Sequence, residues 1–213
     1  MNETVDFLTN NNVIIDKIFP TDVLESFEKF LDDTRKFMPL AETNNNESMR
    51  FEEPSVLLNK ELGRIRINLT PDLEIVKFFN NYIKQYSPSL YLGPAFFVEY
   101  NKKYGTPFLP PHLDQTSSFI TFNYQLKSNI NWRSMVEGKE VELLDGQGFW
   151  INVKDQVHWR RPYDFKEDDF LQMVFFHFLD SKDLKNPPNV KMSEVKSKVW
   201  LDKELKNGYK YYN

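Results

Sequence analysis

The sequence predicts an α+β chain that is mainly β: a β-sandwich or barrel, with two helices packed on one sheet. Three observations carry this. Residues 171–179, LQMVFFHFL, form a strongly β-prone run. From residue 90 onward, further short β-type runs recur with turn signals between them, as in a sandwich or barrel. Ahead of these runs stand two windows whose apolar residues recur at helical spacing.

Residues 13–19, VIIDKIF, read as a first strand. Pro20, Thr21 and Asp22 then open a helix, with Thr21 as the expected N-cap and Asp22 in the first turn. Leu24, Phe27, Phe30, Leu31 and Phe37 supply its apolar face. Residues 41–53 are polar and read as a loop. A second helix starts at Thr70, Pro71 and Asp72, with Leu73, Ile75, Val76, Phe79, Tyr82 and Ile83 inward, and stops before Ser87 and Pro88. Strands follow at 90–100, 108–113, 118–126, 140–144 and 148–153. The one over 108–113 is kept short and extended by Pro110 and Pro111. The one over 140–144 ends at a turn of Asp145 and Gly146.

The 213 residues are expected to form one domain over 1–180, with a Lys-rich C-terminal extension over 181–213 that holds a helix near 192–206. An apolar fraction of 40%, with 19 Phe and 10 Tyr, is that of a chain with a packed core. A net charge of −4 gives no general electrostatic case for nucleic acid or an anionic membrane. The polar start MNETVDFLTNNN is unlike a signal peptide, and no run reaches the roughly 20 apolar residues of a membrane span. A cytoplasmic protein is the expectation. The absence of cysteine excludes disulfides, thiolate nucleophiles and Cys-based metal sites.

The chemistry rests on the histidines, of which there are three. His112 and Asp114 form a His-x-Asp pair on an extended segment, where side chains two apart project from one face and can reach one ion. The third ligand has to come from elsewhere, from His158 after the strand over 148–153 or from His177. By itself the pair is a weak signal. Two histidines and one carboxylate with open positions are the facial triad of non-haem Fe(II) oxygenases.

The order VEYNKKYGTPFLPPHLDQTSSFITFNYQL, then VELLDGQGFWINVKDQVHWRRP, then FLQMVFFHF, resembles the Fe(II)- and 2-oxoglutarate-dependent oxygenases. It is closest to their prolyl-hydroxylase-like branch, and the segment IIDKIFPTDVLESFEKF fits the same group. The resemblance covers residues 13–180. It implies a double-stranded β-helix, that is, a jelly-roll or cupin-like barrel. It also implies Fe(II) held by His112, Asp114 and His158, 2-oxoglutarate and O2 as cosubstrates, and release of succinate and CO2 as a C–H bond is hydroxylated. In one respect the chain departs from the pattern. The family's basic anchor for the far carboxylate of 2-oxoglutarate follows the distal histidine, where this chain has Lys166, Glu167, Asp168, Asp169 and Phe170. A dianion in a partly dry barrel needs a cation. Arg160 is the first candidate, Lys127 the second and Arg161 the third. Tyr100, Thr121 and Tyr124 resemble the hydroxyl donors that help hold it. Phe96, Phe97, Phe119, Phe122, Phe149 and Phe176 are candidates for an apolar cage.

Other residues leave alternatives open. His177, in an alternating apolar strand, reads as a core or pocket-lining residue before a ligand. Trp132, Trp150 and Trp159 read as packing residues, with Trp159 close enough to the triad to line its pocket. Arg64 and Arg66 read either as a solvated face or as a clamp for an anionic substrate. A small molecule or amino acid is the expected substrate. The competing functions are a cupin-like Zn²⁺ isomerase or hydrolase, favoured by the missing anchor, and a non-catalytic jelly-roll binding module.

Overall fold

The computed structural model describes residues 3–38, 40–42, 56–114, 120–153 and 155–180. The expected extension and its helix, Phe119 and most of the polar loop lie outside these residues. The described chain is a two-sheet sandwich with helices on one outer face. Its elements are α1 (Glu3–Asn10), β1 (Ile14–Asp16), α2 (Thr21–Phe37), β2 (Leu40–Glu42), β3 (Val56–Asn59), β4 (Arg64–Leu69) and α3 (Glu74–Lys84). There follow β5 (Leu90–Asn101), β6 (Leu109–His112), β7 (Ile120–Ser128), β8 (Ser134–Val136), β9 (Lys139–Val141), β10 (Gln147–Asn152), β11 (His158–Arg160) and β12 (Phe170–Asp180). The large sheet runs β1-β10-β7-β12-β5-β4-β3-β2 and the small one β6-β11-β8-β9. All pairings are antiparallel except β2 with β3. Among the described residues no helix is long and apolar enough to cross a membrane.

The two expected helices are present, and their starts differ from expectation. Pro20 is the N-cap of α2 and Thr21 its first helical residue, with no side-chain capping bond. Pro20 suits this place because its fixed φ, −60° here, matches an extended cap. Leu73 caps α3 after a turn in which its N–H donates to the Thr70 carbonyl, so the helix begins two residues past Asp72. The polar N-terminal stretch, for which there is no helix expectation, forms α1. The expected strand over 140–144 is shorter than read, as β9, and β8 ahead of it completes a hairpin. The Asp145-Gly146 turn is present: Gly146 has φ 86°, a left-handed value that glycine adopts without strain, and its N–H donates to the Gln125 carbonyl.

The sequence alternates along the strands of the large sheet, and the two sets of residues go to two compartments. Ile65, Ile67, Phe97, Phe122, Trp150, Phe176 and Phe178 pack against Phe27, Leu31, Phe79 and Ile83 of the helices. Phe79 is the hub of that core. Its ring lies 4.4 to 5.9 Å from those of Phe19, Tyr82, Phe122, Trp150, Phe176 and Phe178. The opposite set faces the small sheet. It contains Val98, Tyr100, Leu171 and Met173, packed with Trp132 and Phe165, and further along Phe149 and Ile151, packed with Val136 and Val141. Of the candidate cage, Phe97, Phe122 and Phe176 therefore belong to the helix-side core, and Phe96 and Phe149 to the space between the sheets.

Because Phe79 is fully buried among six aromatic rings, Phe79→Ala is expected to lower the unfolding free energy by about 3–5 kcal/mol. Urea unfolding should show a lower midpoint with an unchanged slope.

Candidate metal centre

The edge of the small sheet brings two of the three histidines together. β11 lies beside β6 with His158 directly opposite His112. Their rings are 4.1 Å apart. Asp114 follows β6 by two residues and turns back to the pair. One ligand atom from each of His112, Asp114 and His158 lies within 4.8 Å of the others, a group that could hold a metal ion.

The tautomers are fixed by the backbone. His112 Nδ1 is 2.7 Å from the Pro110 carbonyl oxygen, and His158 Nδ1 is 3.3 Å from that of Gln156. A carbonyl only accepts, so each Nδ1 is the protonated donor and each neutral ring presents a bare Nε2. Both Nε2 atoms point at one oxygen, Asp114 Oδ1, at 3.4 and 3.5 Å. Lone pairs facing one another are repulsive until a proton or a cation sits between them. For bonds of about 2.1 Å, ligand atoms at right angles lie about 3 Å apart, so a small contraction closes this group around an ion. The residues present fit a divalent metal.

The electrostatics agree. Burial opposes ionisation of Asp114, but the charge of protonated His158 and the hydrogen bonds that the three histidines donate when Nε2 carries a proton outweigh it and hold the carboxyl well below its usual range. His112 is pushed down by burial and by neighbouring His158. Burial also opposes the His158 cation, but Asp114 more than offsets it and the pKa is raised.

His177 is the surprise of the site. It is the inward residue of β12 opposite Thr121, and its Nε2 lies 3.5 Å from Asp114 Oδ2, the oxygen that the other two histidines leave free. Its ring stacks on Phe96 at 5.0 Å, and Arg66 covers Phe96 at 3.7 Å. The position was readable, since His177 alternates with Met173 and Phe175.

The candidate anchors separate cleanly. Arg160 is 4% exposed and lies between the sheets. It follows His158 by two residues, about 6.6 Å further along the strand. Its guanidinium sits over the Trp132 ring at 5.2 Å and 3.7 Å from Met173 Sδ. Burial pushes it down to about 10, against the pull of Tyr100, so it remains a cation at neutral pH. Tyr100 is buried on the same side, edge-on to Trp132, and its hydroxyl accepts from Arg64 Nη1 at 3.0 Å. Thr121 also faces inward. Thr121 Oγ1, Asn123 Oδ1 and His177 Nδ1 are buried polar atoms without a hydrogen-bond partner among the described residues.

The other three anchors or donors lie elsewhere. A bulge in β7 sets Gln125 opposite Met173 but Lys127 opposite Gln172, so Leu126 is the extra residue. The Lys127 side chain consequently turns to the helix side, where it lines a cleft with Glu28, Arg35, Glu99 and Gln172. Tyr124 also faces the helices, packed edge-on to Phe19 at 4.8 Å. It is three residues from Thr121, and residues an odd number apart take opposite faces of a strand. Arg161, adjacent to Arg160, points outward to Glu140 at 2.7 Å. Trp159, between His158 and Arg160, is buried on the face away from theirs by the same alternation.

Two outcomes test the centre. His112→Ala and His158→Ala are each expected to weaken Mn(II) binding at least tenfold, as loss of a ligand requires, without unfolding the chain. Metal affinity is expected to fall as pH drops from about 8 through the raised His158 value, above the ordinary imidazole value of about 6.5, because the proton competes for Nε2. Asp114 contributes nothing in that window, being ionised throughout. Calorimetric titration with Mn(II) across this range checks both, and a flat profile would contradict the ligand set.

No protein-family model and no curated protein matches the chain. Solved structures do. A prolyl hydroxylase from Trichoplax adhaerens, in complex with a hypoxia-inducible-factor peptide, matches at TM-score 0.59 and 14% identity, over 87% of this chain and 91% of that one. A Pseudomonas putida prolyl-4-hydroxylase matches at 0.58 and 12%, over 83% and 96%. HygX from Streptomyces hygroscopicus, with nickel and 2-oxoglutarate bound, matches at 0.53 and 10%, over 85% and 88%. The chain carries the double-stranded β-helix fold of the Fe(II)- and 2-oxoglutarate-dependent oxygenases, built here around a His–Asp–His group.

Proposed function

We propose that this chain is an Fe(II)- and 2-oxoglutarate-dependent oxygenase that hydroxylates a C–H bond of a small molecule or an amino-acid side chain, with release of succinate and CO2. The observation that carries the reading is the convergence of His112 Nε2, His158 Nε2 and Asp114 Oδ1 in the same inter-sheet space as the buried cation Arg160. Three protein ligands leave positions open for a chelating cosubstrate and O2.

When bound, the metal and 2-oxoglutarate supply the oxidising chemistry; the protein binds, orients and keeps water out. His112, Asp114 and His158 hold the ion. Arg160 receives the far carboxylate of 2-oxoglutarate. It stands two positions along the strand from His158, a spacing that would suit a five-carbon diacid bound to the metal by its other end. Tyr100, near Arg160, and Thr121 Oγ1, with no partner in the described residues, offer hydroxyl groups along that path. Phe96 and Phe149 supply apolar wall. Arg160 takes the place of the missing basic residue on β12, whose inward positions are Leu171, Met173, Phe175 and His177.

That missing residue is also what favours a second reading, a metal-dependent isomerase or hydrolase of cupin type that uses no 2-oxoglutarate. Succinate release separates the two. The oxygenase reading expects succinate only when Fe(II), O2 and 2-oxoglutarate are all present. It further expects Arg160→Met to raise the Kd for 2-oxoglutarate at least about thirtyfold, as loss of one partner from a buried charge pair implies, with Mn(II) binding retained. Mn(II)-loaded protein that shows no affinity for 2-oxoglutarate would favour the alternative.

A further inference from the structure

The inward face of β4 is charged where its neighbours are apolar or neutral. Ile65, Ile67 and Leu69 serve the helix-side core, so Arg64, Arg66 and Asn68 turn to the space between the sheets. There they lie beside Tyr100, Val98 and Phe96 of β5. The Arg64 guanidinium donates to the Tyr100 hydroxyl at 3.0 Å. That of Arg66 donates from Nε to Asn68 Oδ1 at 3.0 Å and covers the Phe96 ring at 3.7 Å. Phe96 is in turn stacked on His177, which touches Asp114. One ring thus separates Arg66 from the residue that supports the metal carboxylate.

Two guanidiniums on one inward face repel each other and lose hydration. Burial and neighbouring Arg64 lower Arg66 to about 9, and Asp114 acts the other way. Asp114 is spoken for once a metal binds. Arg64 and Arg66 thus bring two guanidiniums to the same inter-sheet face, one aromatic ring away from the histidine that touches Asp114. A guanidinium fork on an aromatic platform is suited to planar recognition of an oxyanion.

We propose that Arg64 and Arg66 bind an oxyanion group of the substrate, a carboxylate or phosphate, and so hold it on the β4 side of the metal. The enzyme's substrate is then an acidic small molecule or a residue bearing an acid group, with the C–H to be oxidised a short distance from the charge. This rests on the oxygenase reading and adds the substrate class to it.

The test uses the full chain loaded with Mn(II) and 2-oxoglutarate, with binding followed by NMR shift perturbation at constant ionic strength. The probes are inorganic phosphate and a panel of N-acetyl amino acids, each as the free acid and as its carboxamide. The expected result is that phosphate or several acids bind, the acids at least tenfold tighter than their amides. That preference should fall below twofold in Arg66→Met and Arg64→Met and survive in part in Arg66→Lys, with all variants retaining Mn(II) and 2-oxoglutarate binding. Spectra of the variants verify that they fold. Phosphate binding alone assigns the oxyanion to a phosphoryl group, acid binding alone to a carboxylate. The proposal is overturned if no probe binds the wild type, if acids bind no better than amides, or if the preference persists in both Met variants. Loss of 2-oxoglutarate binding in Arg66→Met also overturns it, since the pair would then serve the cosubstrate. A wild type that takes up no 2-oxoglutarate at all defeats the oxygenase reading instead, a result visible before any probe is added.

Discussion

A residue on a strand of the large sheet faces either the helices or the small sheet, and this twofold alternation governs everything else in the molecule. On one side it produces a dry aromatic core centred on Phe79. On the other it sets Thr121, Asn123, His177 and Tyr100 in a compartment whose far wall is β6 and β11. The first face supplies the hydrophobic stabilisation that holds the second face in place. Polar and charged side chains can be kept inside the sandwich because the helix-side core carries so much of the apolar burial.

Within the compartment the order of contacts runs outward from Asp114. One of its oxygens meets two histidines and the other meets a third. A carboxylate approached in this way has little freedom to rotate, so the oxygen presented to a metal is chosen by His177 as much as by the two ligating rings. The backbone carbonyls of Pro110 and Gln156 do the same for the imidazoles. Ligand geometry is therefore set before any ion arrives, which is what tight coordination requires.

How much of this was legible in the sequence depends on the range of the signal. The helix faces of α2 and α3 and the strands β5, β10 and β12 follow from local periodicity. So does the neighbourhood of His112 and Asp114, because two residues apart on an extended chain means one face. Tyr124 and Arg161 stand among the sequence candidates although the same parity rule excludes them, each being an odd number of residues from a partner that faces inward. Lys127 was not excludable. The bulge at Leu126 arises from the pairing of β7 with β12, and no residue of β7 announces it. His177 reads from sequence only as a core or pocket-lining residue, because its contact with Asp114 depends on how two sheets close, which no single strand encodes. β2, a three-residue edge strand, overlaps the start of the polar stretch, and β3 is only four residues long, so neither carries a readable alternation.

The two prolines of β6 have a consequence beyond the ligand they precede. β6 is the last strand of the small sheet, and neither Pro110 nor Pro111 has an N–H to offer a further strand. The rim on which His112 stands is thus a terminus of hydrogen bonding. Another chain, or an added strand of this one, finds no continuous row of donors there and cannot extend the sheet across the opening. Among the described residues, the border that carries the candidate metal group is therefore a poor template for strand addition.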